Sequence, residues 1–363
     1  FLMNLAESMI SIFVPIYLYS LRYSIVYILF FFLIGHVGNV IFALPIAKIV
    51  SKIGAKHAIL LSTLFIVAYY LGLRSLPQYS GLFFILPLGI TFRSLLYNFG
   101  FDLNFIDHLN IKRVGRELSF LSNLTIIATV VAPLIAGLMI VFFGYGVLLM
   151  VGSIILVVAT LPLFFSKDNH PQVNFDNSGL FKTIFSRAGR GMLLSFSGYA
   201  VESSIGKTVW PIFLIIILGT AEKVGYVAAV SSFFAMIVIA MVGRYIDNFG
   251  SKKLLNIGTV LCFFGWLATA FADTSLSVFL INSYRSISEK VLQLPWSSIF
   301  YKIVNRDTYF RMVVVKDMIF NGSRMVVVPL IILIFKIEFY PFTLVFLVAA
   351  IFTLLYPLVE KSV

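Results

Sequence analysis

The sequence predicts an all-α integral membrane protein with about twelve transmembrane helices in two pseudo-symmetric bundles of six. One reason is composition: of 363 residues, 60% are hydrophobic and 12% are charged, whereas soluble domains carry roughly 25% charged residues. A second is that apolar runs long enough to cross a ~30 Å hydrocarbon layer follow one another along the chain. The third is an internal repeat. Because the runs are continuously apolar rather than alternating, a β-barrel is excluded.

Charged, glycine and proline breaks divide the apolar runs into spans, whose limits are reliable to about four residues. The predicted spans are 1–20, 24–50, 57–73, 82–103, 117–142, 145–165, 191–218, 222–245, 253–272, 276–301, 312–336 and 339–358. They form an N-terminal bundle over residues 1–165 and a C-terminal bundle over 191–363. Residues 166–190 are predicted to be a cytoplasmic linker that includes a short amphipathic helix.

The repeat is clearest in a short charged turn. Residues 243–253 read Gly-Arg-Tyr-Ile-Asp-Asn-Phe-Gly-Ser-Lys-Lys, and residues 47–57 read Ala-Lys-Ile-Val-Ser-Lys-Ile-Gly-Ala-Lys-His. Gly54 thus matches Gly250 at an offset of 196 residues (250 − 54). The flanks repeat as well: Glu7-Ser8 recurs as Glu202-Ser203, Pro15 as Pro211, and Pro133 as Pro329. Two similar halves in a membrane chain are typical of secondary transporters that rock about a central site.

Basic residues predict the orientation. The loops that follow even-numbered spans hold 17 of the 27 Lys and Arg residues. By the positive-inside rule, both termini are expected in the cytoplasm, with the protein in the plasma or inner membrane. The +12 net charge therefore does not indicate a nucleic-acid partner. Because the helix containing Glu202 begins near Arg190, the first helix is expected to begin before Phe1.

The turn resembles the loop 2–3 signature of the major facilitator superfamily, Gly-x-Leu-Ala-Asp-Arg-x-Gly-Arg-Lys. The second copy keeps five of its positions: Gly243, Asp247, Gly250, Lys252 and Lys253. The first copy keeps Gly54 and Lys56 but has Ala47 and Ser51 where the signature has Gly and Asp. The resemblance implies a twelve-helix transporter that works by alternating access, and a cytoplasmic turn that takes part in gating. The alternative is that the turn serves only as a topology signal.

A second pattern in the fifth span resembles the antiporter motif Gly-x-x-x-Gly-Pro-x-x-Gly-Gly of the same superfamily. Its residues here are Ala128, Ala132, Pro133, Ala136 and Gly137. In that superfamily the motif accompanies exporters that exchange substrate for protons. Small residues at four-residue spacing also allow close helix packing, so packing alone remains an alternative.

Ionisable residues within membrane spans are costly and indicate functional sites. Ten lie away from span ends: Glu7, Arg93, Glu202, Lys207, Arg285, Glu289, Lys290, Lys316, Asp317 and Arg324. The first seven belong to spans 1, 4, 7 and 10, which line the central cavity in the superfamily. Six of the ten are basic, which favours an anionic or zwitterionic substrate.

Individual roles follow from position. Glu202, near mid-membrane, and Glu7 are candidates to carry a proton, and Lys207 is a candidate either to pair with Glu202 or to contact an anionic substrate. Arg93 resembles the fourth-span arginine of proton-linked members. Arg285 and Glu289 stand four residues apart, so an internal salt bridge competes with a substrate role. Lys290 points elsewhere on that helix, and the remaining cavity candidates are Trp210 and Trp296.

These observations predict a monomeric secondary active transporter, with proton-coupled efflux of a small molecule as the leading hypothesis. An uptake symporter or a lipid flippase of the same fold is the alternative within transport. A non-transporting membrane sensor or scaffold is the alternative from another class. No metal-ligand spacing, nucleotide motif or catalytic cluster is recognisable, so neither enzymatic activity nor a cofactor is expected.

Overall fold

The computed structural model describes residues 1–108, 114–165, 186–303 and 309–362. Within them the chain is almost entirely helical. The helices are α1 Leu2–Ser11, α2 Phe13–Ser20, α3 Ile25–Ser75, α4 Leu82–His108, α5 Val114–Phe165, α6 Arg187–Ser204, α7 Trp210–Leu218, α8 Ala221–Phe249, α9 Lys252–Thr269, α10 Ser275–Ile303, α11 Tyr309–Ile337 and α12 Pro341–Thr353. A π-helical turn, Ile205–Val209, joins α6 to α7, and a 3₁₀ segment, Tyr356–Ser362, follows α12.

Two long helices each contain two of the predicted spans. α3 reverses at Gly54, whose backbone angles are φ 78° and ψ 170°. α5 does the same at Gly144, with φ 79° and ψ 170°. These angles belong to a region open essentially to glycine alone. The glycines therefore divide α3 and α5 near the predicted limits of spans 2 and 3 and of spans 5 and 6.

Within the described residues, eight helical stretches are long and apolar enough to cross a membrane, where α1–α2, α6–α7 and α12 with its 3₁₀ segment each count as one. Because Gly54 and Gly144 divide two of them, ten segments result (8 + 2). α9 and α10, which correspond to predicted spans 9 and 10, were not among the eight; α10 carries Arg285, Glu289 and Lys290 near its middle. The predicted fold class, an all-α multi-pass membrane protein, is confirmed.

Three helices begin after a serine or threonine whose side chain caps the first turn. The Oγ atom of Ser24 accepts a hydrogen bond from the Tyr27 amide at 3.4 Å, and that of Ser186 accepts one from the Gly189 amide at 3.0 Å. Thr220 caps α8 in the same way. Each cap satisfies one of the amide groups that the first helical turn leaves without a partner.

The close packing of α5 against α8 explains the small residues of the fifth predicted span. Ala128, Ala132 and Ala136 are fully buried. A Cβ atom on Gly225 of α8 would lie 2.3 Å from the Pro133 carbonyl oxygen. A Cβ atom on Gly137 would lie 2.7 Å from the Ala221 carbonyl oxygen. The stripe thus brings two backbones together, one from each predicted half of the chain. α3 and α11 also pack against each other, so they form a second contact between the two predicted halves.

The predicted linker lies mostly outside the described residues, because the structure describes none of residues 166–185. The amphipathic helix expected there is therefore a prediction still. The division into domains at 1–165 and 191–363 also remains a prediction, and "N-terminal half" and "C-terminal half" refer below to those ranges.

Candidate functional site

A cavity in two lobes, lined by both polar and apolar side chains, lies among helices of both halves. The first lobe has a volume of about 600 Å³ and the second about 430 Å³. Both volumes fall within the range of ~300–1,000 Å³ that is usual for small-molecule sites. The lobes share five lining residues: Phe32, His36, Ile90, Lys207 and Arg324. A ligand at this junction would contact both halves.

The lining of the first lobe repeats at the 196-residue offset of the glycine turns. Eight pairs line it from both halves: Glu7 and Ser203, Ser8 and Ser204, Ser11 and Lys207, Ile12 and Thr208, Val14 and Trp210, Phe32 and Ala228, His36 and Ser232, and Ile90 and Ser286. The two halves therefore present equivalent positions to one space, although two of the pairs, Glu7 with Ser203 and Ser11 with Lys207, differ in charge.

Glu7 and Arg93 form an ion pair at the wall of the first lobe. Arg93 also lies over the Tyr97 ring, 4.5 Å from its centroid. The Glu7 side chain is 27% exposed and that of Arg93 is 12% exposed, so the pair is open to the cavity on the carboxylate side. The structure brings together these two predicted site residues, which are 86 residues apart (93 − 7).

Lys207 and Arg324 lie where the lobes meet. Lys207 belongs to the π-helical turn between α6 and α7 and is exposed to the cavity. Arg324 of α11 is held by two hydrogen bonds: its Nε donates to the Ala200 carbonyl oxygen at 3.1 Å and its Nη2 to Ser203 Oγ at 2.8 Å. Within the described residues, no carboxylate forms a salt bridge with either cation.

An ion pair at the far end of the second lobe joins the two halves. Lys316 Nζ donates to Asp102 Oδ2 at 2.9 Å, and the Tyr301 hydroxyl lies 3.5 Å from Asp102 Oδ1. This end of α4 lies beside the Gly54 turn, because a Cβ atom on Gly100 would lie 3.0 Å from the Ala55 carbonyl oxygen. We call Asp102, Lys316 and Tyr301 the latch.

A hydrogen-bonded chain crosses the second lobe beside the latch. His36 Nδ1 is 3.0 Å from Asn321 Oδ1. The Asn321 amide nitrogen donates to Asp317 Oδ2 at 3.1 Å. Asp317 thus has a polar partner on its own helix, one turn away, and the chain connects α3 to α11.

Glu202 lies outside the cavity lining, inside the C-terminal half. It is only 3% exposed and accepts two hydrogen bonds, from Trp266 Nε1 at 2.9 Å and from the Tyr356 hydroxyl at 3.1 Å. At the 196-residue offset, Glu7 corresponds to Ser203 rather than to Glu202. One residue along a helix is a rotation of about 100°, which explains why Ser203 faces the cavity and Glu202 does not.

Arg285 shares this buried cluster. Its guanidinium lies over the Trp266 ring at 3.3 Å and the Trp210 ring at 5.0 Å, and its Nη2 is 3.2 Å from Glu289 Oε1. The internal salt bridge anticipated from the four-residue spacing is therefore present. Neither Arg285 nor Glu289 lines the cavity lobes.

Of the remaining predicted cavity residues, Trp210 lines the cavity, whereas Trp296 and Lys290 do not. Trp210 lines the first lobe, and its Nε1 donates to Asn282 Oδ1 at 2.9 Å. Trp296 instead packs within the C-terminal half, where its Nε1 donates to Ser195 Oγ at 2.8 Å and its ring stacks on Tyr199. Lys290 is half-buried and absent from the lining of both lobes.

The residues of the predicted gating turn lie at helix junctions. Gly250 ends α8 with φ 85° and ψ 170°. Lys56 Nζ reaches the Phe164 carbonyl oxygen at 3.5 Å, so it lies at the C-terminal end of α5, where the helix dipole favours a cation. Of the other turn residues, Gly243 is buried, Asp247 is half-buried, and Lys252 and Lys253 are exposed.

Sequence reasoning missed several residues of the site. Asp102 was not singled out because it stands close to the predicted end of span 4, where a carboxylate is unremarkable. Trp266 and Tyr356 carry no charge and lie in spans 9 and 12, which are not expected to line a cavity. Gly225 could have been found as the partner that a small-residue stripe requires. Within the described residues, no group of three or more His, Cys, Asp or Glu side chains is suited to a metal ion.

Comparison with solved structures identifies the fold. A bacterial homologue of the iron transporter ferroportin, in its outward-facing state, has a TM-score of 0.74 and 15% sequence identity, covering 99% of this chain and 96% of that one. FucP, a Major Facilitator Superfamily (MFS) transporter in the outward conformation, has a TM-score of 0.68 and 13% identity, covering 100% and 96% of the two chains.

Among curated proteins, a multi-drug resistance efflux pump PmrA homolog from Lactococcus lactis subsp. lactis (strain IL1403) is 23% identical over 227 residues. That match covers 60% of this chain and only 56% of the pump's length. No family model matches the chain.

Proposed function

From the premise that the chain has the major facilitator fold, we propose that it is a secondary active transporter of a small molecule. The two halves rock about the two-lobed cavity and open it to each side of the membrane in turn. The observation that carries this proposal is the cavity itself, whose equivalent positions come from both halves at one offset. Two matching bundles around a central site are the architecture of alternating access.

In this proposal the latch holds one end of the cavity closed. Asp102 and Lys316 come from different halves and meet beside the Gly54 turn, so opening of that end requires the pair to separate. By the positive-inside rule, the Gly54 and Gly250 turns lie on the cytoplasmic side. In this proposal the latch therefore closes the cytoplasmic entrance.

We propose efflux as the direction of transport. The support is the similarity to the PmrA homolog, described as an efflux pump, together with the antiporter-like stripe on α5. Uptake is the second candidate, because the Escherichia coli FucP structure, which has the same fold, is described as a fucose:proton symporter.

Proton coupling is assigned to Glu7. Among the predicted proton carriers, Glu7 lines the first lobe and is paired with a cation that protonation of the carboxylate would release. Glu202 is the alternative carrier, but it is enclosed by Trp266 and Tyr356. A proton that reaches Glu202 has to pass these two donors, whereas Glu7 exchanges directly with cavity water.

Proteoliposomes with an imposed pH gradient test this assignment. A fluorescent dye reports collapse of the gradient when pooled candidate substrates are added to wild type, Glu7→Gln or Glu202→Gln protein. Collapse with wild type and Glu202→Gln but not with Glu7→Gln supports the proposal. Because both variants neutralise one mid-membrane carboxylate, each serves as the matched control for the other.

Two results contradict parts of the proposal. A collapse of equal size with wild type and Glu7→Gln removes Glu7 from the coupling step. Loss of response only with Glu202→Gln moves the coupling site into the C-terminal half. Substrate accumulation that follows an inward-directed proton gradient in right-side-out vesicles would identify an importer.

A further inference from the structure

Resting on the proposed transport function, we propose that Lys207 and Arg324 form a binding subsite for the anionic group of an organic substrate. The group is a carboxylate, phosphate or sulfonate, and it lies at the junction of the two lobes. The aromatic side chains around the junction then contact the rest of the substrate.

The first argument is a charge count over the cavity lining. The two lobes contain the carboxylates of Glu7, Asp102 and Asp317. They also contain four cations, those of Arg93, Lys207, Lys316 and Arg324. Two carboxylates are paired within the protein, Glu7 with Arg93 and Asp102 with Lys316. Asp317 accepts from Asn321. Asp317 also interacts electrostatically with Arg324, but no carboxylate among the described residues is within salt-bridge distance of Lys207 or Arg324. Four cations against three carboxylates leave this lining with a surplus of one positive charge.

The second argument is the geometry of Arg324. Its Nε and Nη2 are bound to the Ala200 carbonyl oxygen and to Ser203 Oγ, so the guanidinium plane is fixed. Within the described residues its Nη1 has no hydrogen-bond partner. A guanidinium held in this way is a preorganised donor, and such donors bind carboxylates and phosphates strongly.

The third argument is the backbone at Lys207. Residues Ile205–Val209 form a π-helical turn, a rare conformation that occurs frequently at functional sites. The corresponding residue of the other half is Ser11, which also lines the first lobe. A lysine therefore occupies a position where the repeat has a small neutral side chain, and it does so on a locally irregular helix.

The walls suit an aromatic or otherwise apolar body. Phe32 and Tyr199 line the second lobe, and Tyr69, Tyr70 and Trp210 line the first. Each lobe is of a size that holds a small organic molecule. An inorganic anion would leave these surfaces without contact, so the subsite is assigned to an organic anion.

Amine labelling with a matched pair of aldehydes tests the subsite directly. Pyridoxal 5′-phosphate and pyridoxal carry the same aldehyde, and only the former carries a phosphate. Because the free 5′-hydroxyl of pyridoxal closes onto its aldehyde as a cyclic hemiacetal, each labelling rate at Lys207 is expressed relative to the rate of the same compound at a control lysine. The aldehyde condenses with the Lys207 amine with loss of water, and borohydride then reduces the imine, so that mass spectrometry reads the labelled lysine. The purified full-length protein in detergent is used, with no ion gradient.

The expected result is that pyridoxal 5′-phosphate labels Lys207 at least about tenfold faster than pyridoxal, because hydrogen bonds to charged groups are the stronger class. Arg324→Gln should reduce the rate with the phosphate compound to that with pyridoxal. Arg324→Lys should retain part of the difference. Lys290, which is half-buried and outside the cavity lining, is the control lysine, and its ratio of rates with the two compounds should be the same in every variant.

Equal rates at Lys207 with the two aldehydes, or no label at Lys207, would overturn the proposal. An undiminished preference in Arg324→Gln would overturn the role of Arg324. Labelling by pyridoxal in Arg324→Gln verifies that this variant is folded around an accessible Lys207. Since the measurement needs no transport, its outcome is independent of whether the chain moves protons or substrate.

Discussion

Gly54 and Gly250 stand 196 residues apart and adopt the same backbone conformation, with φ 78° and 85° and ψ 170° at both. An ideal Cβ atom at Gly250 would meet no neighbour within 4 Å. The requirement for glycine there is thus one of backbone conformation, not of space. The two copies of the repeat therefore share a backbone conformation at this glycine, which the sequence similarity alone only suggests.

Gly250→Ala should destabilise the protein by about 1–3 kcal/mol, because a residue with a Cβ atom is strained at these angles. Gly322→Ala is the matched control: Gly322 lies inside α11, where an added Cβ meets nothing within 4 Å and φ is not positive. Alanine there should be neutral or stabilising by up to about 1 kcal/mol. Thermal unfolding of the purified proteins measures both. Equal stability of the two variants would show that the Gly250 backbone relaxes without cost.

Gly225→Ala should force α5 and α8 apart, since the new Cβ would lie 2.3 Å from the Pro133 carbonyl oxygen. Overpacking of this kind costs about 1–3 kcal/mol, and the loss should appear in thermal unfolding. Gly89→Ala is the control, because its nearest neighbour, Tyr69 Cβ, would be at an ordinary 3.7 Å. A Gly225→Ala variant as stable as Gly89→Ala would mean that the contact between these helices is looser than described.

Lys316→Ala should open the latch end of the cavity. The pair is partly buried, with the Lys316 side chain 20% and the Asp102 side chain 9% exposed. Removing one partner should therefore cost less than the value of about 3–5 kcal/mol for a fully buried pair, and the closed arrangement of the halves loses this stabilisation. A single cysteine at Asn98, which lines the second lobe, reports opening by its reaction with a membrane-impermeant maleimide; Cys262, the one native cysteine, is replaced by Ala.

Labelling of Asn98→Cys should be faster with Lys316→Ala than with an intact latch. The exchanged pair Asp102→Lys with Lys316→Asp restores opposite charges and should return labelling toward the original rate. If the exchanged pair labels as fast as Lys316→Ala, the attraction between these two residues does not hold the end closed.

Tyr356→Phe should lower stability by about 1.5–3 kcal/mol, because it removes a hydrogen bond to the buried Glu202 carboxyl. Tyr284→Phe is the control of identical chemistry. The Tyr284 hydroxyl donates to the Leu261 carbonyl oxygen from an exposed position, so a loss of no more than about 1 kcal/mol is expected. Denaturation in detergent compares the two. Indistinguishable variants would imply that Glu202 finds another donor when Tyr356 loses its hydroxyl.

Much of the fold could be predicted from the sequence, because long apolar runs, prolines and glycines act locally. The reversal at Gly54 is an example: the glycine between charged residues marked the break, and its repetition marked the second copy. The Arg285–Glu289 contact was likewise visible as a four-residue spacing on one helix.

Which residues of a helix face the cavity could not be predicted as well as the positions of the helices along the chain. Matching Glu7 to Glu202 by residue type shifts the register by one, and about 100° of helix rotation separates a cavity wall from a bundle interior. The Asp102–Lys316 pair was out of reach for a different reason. Its partners are 214 residues apart, and only the packing of the two halves brings them together.

The eight pairs of lining residues with a common offset imply a cavity to which both halves contribute equivalent positions, while two of these pairs differ in charge. Glu7 is equivalent in position to Ser203, and Ser11 is equivalent to Lys207. A molecule with one charged end therefore distinguishes the two walls even though their lining positions correspond. Turning such a molecule end for end would place its charge against the wrong wall. In the proposed transport cycle its orientation is thus set relative to the halves, and each end of the molecule stays with one half as the halves rock.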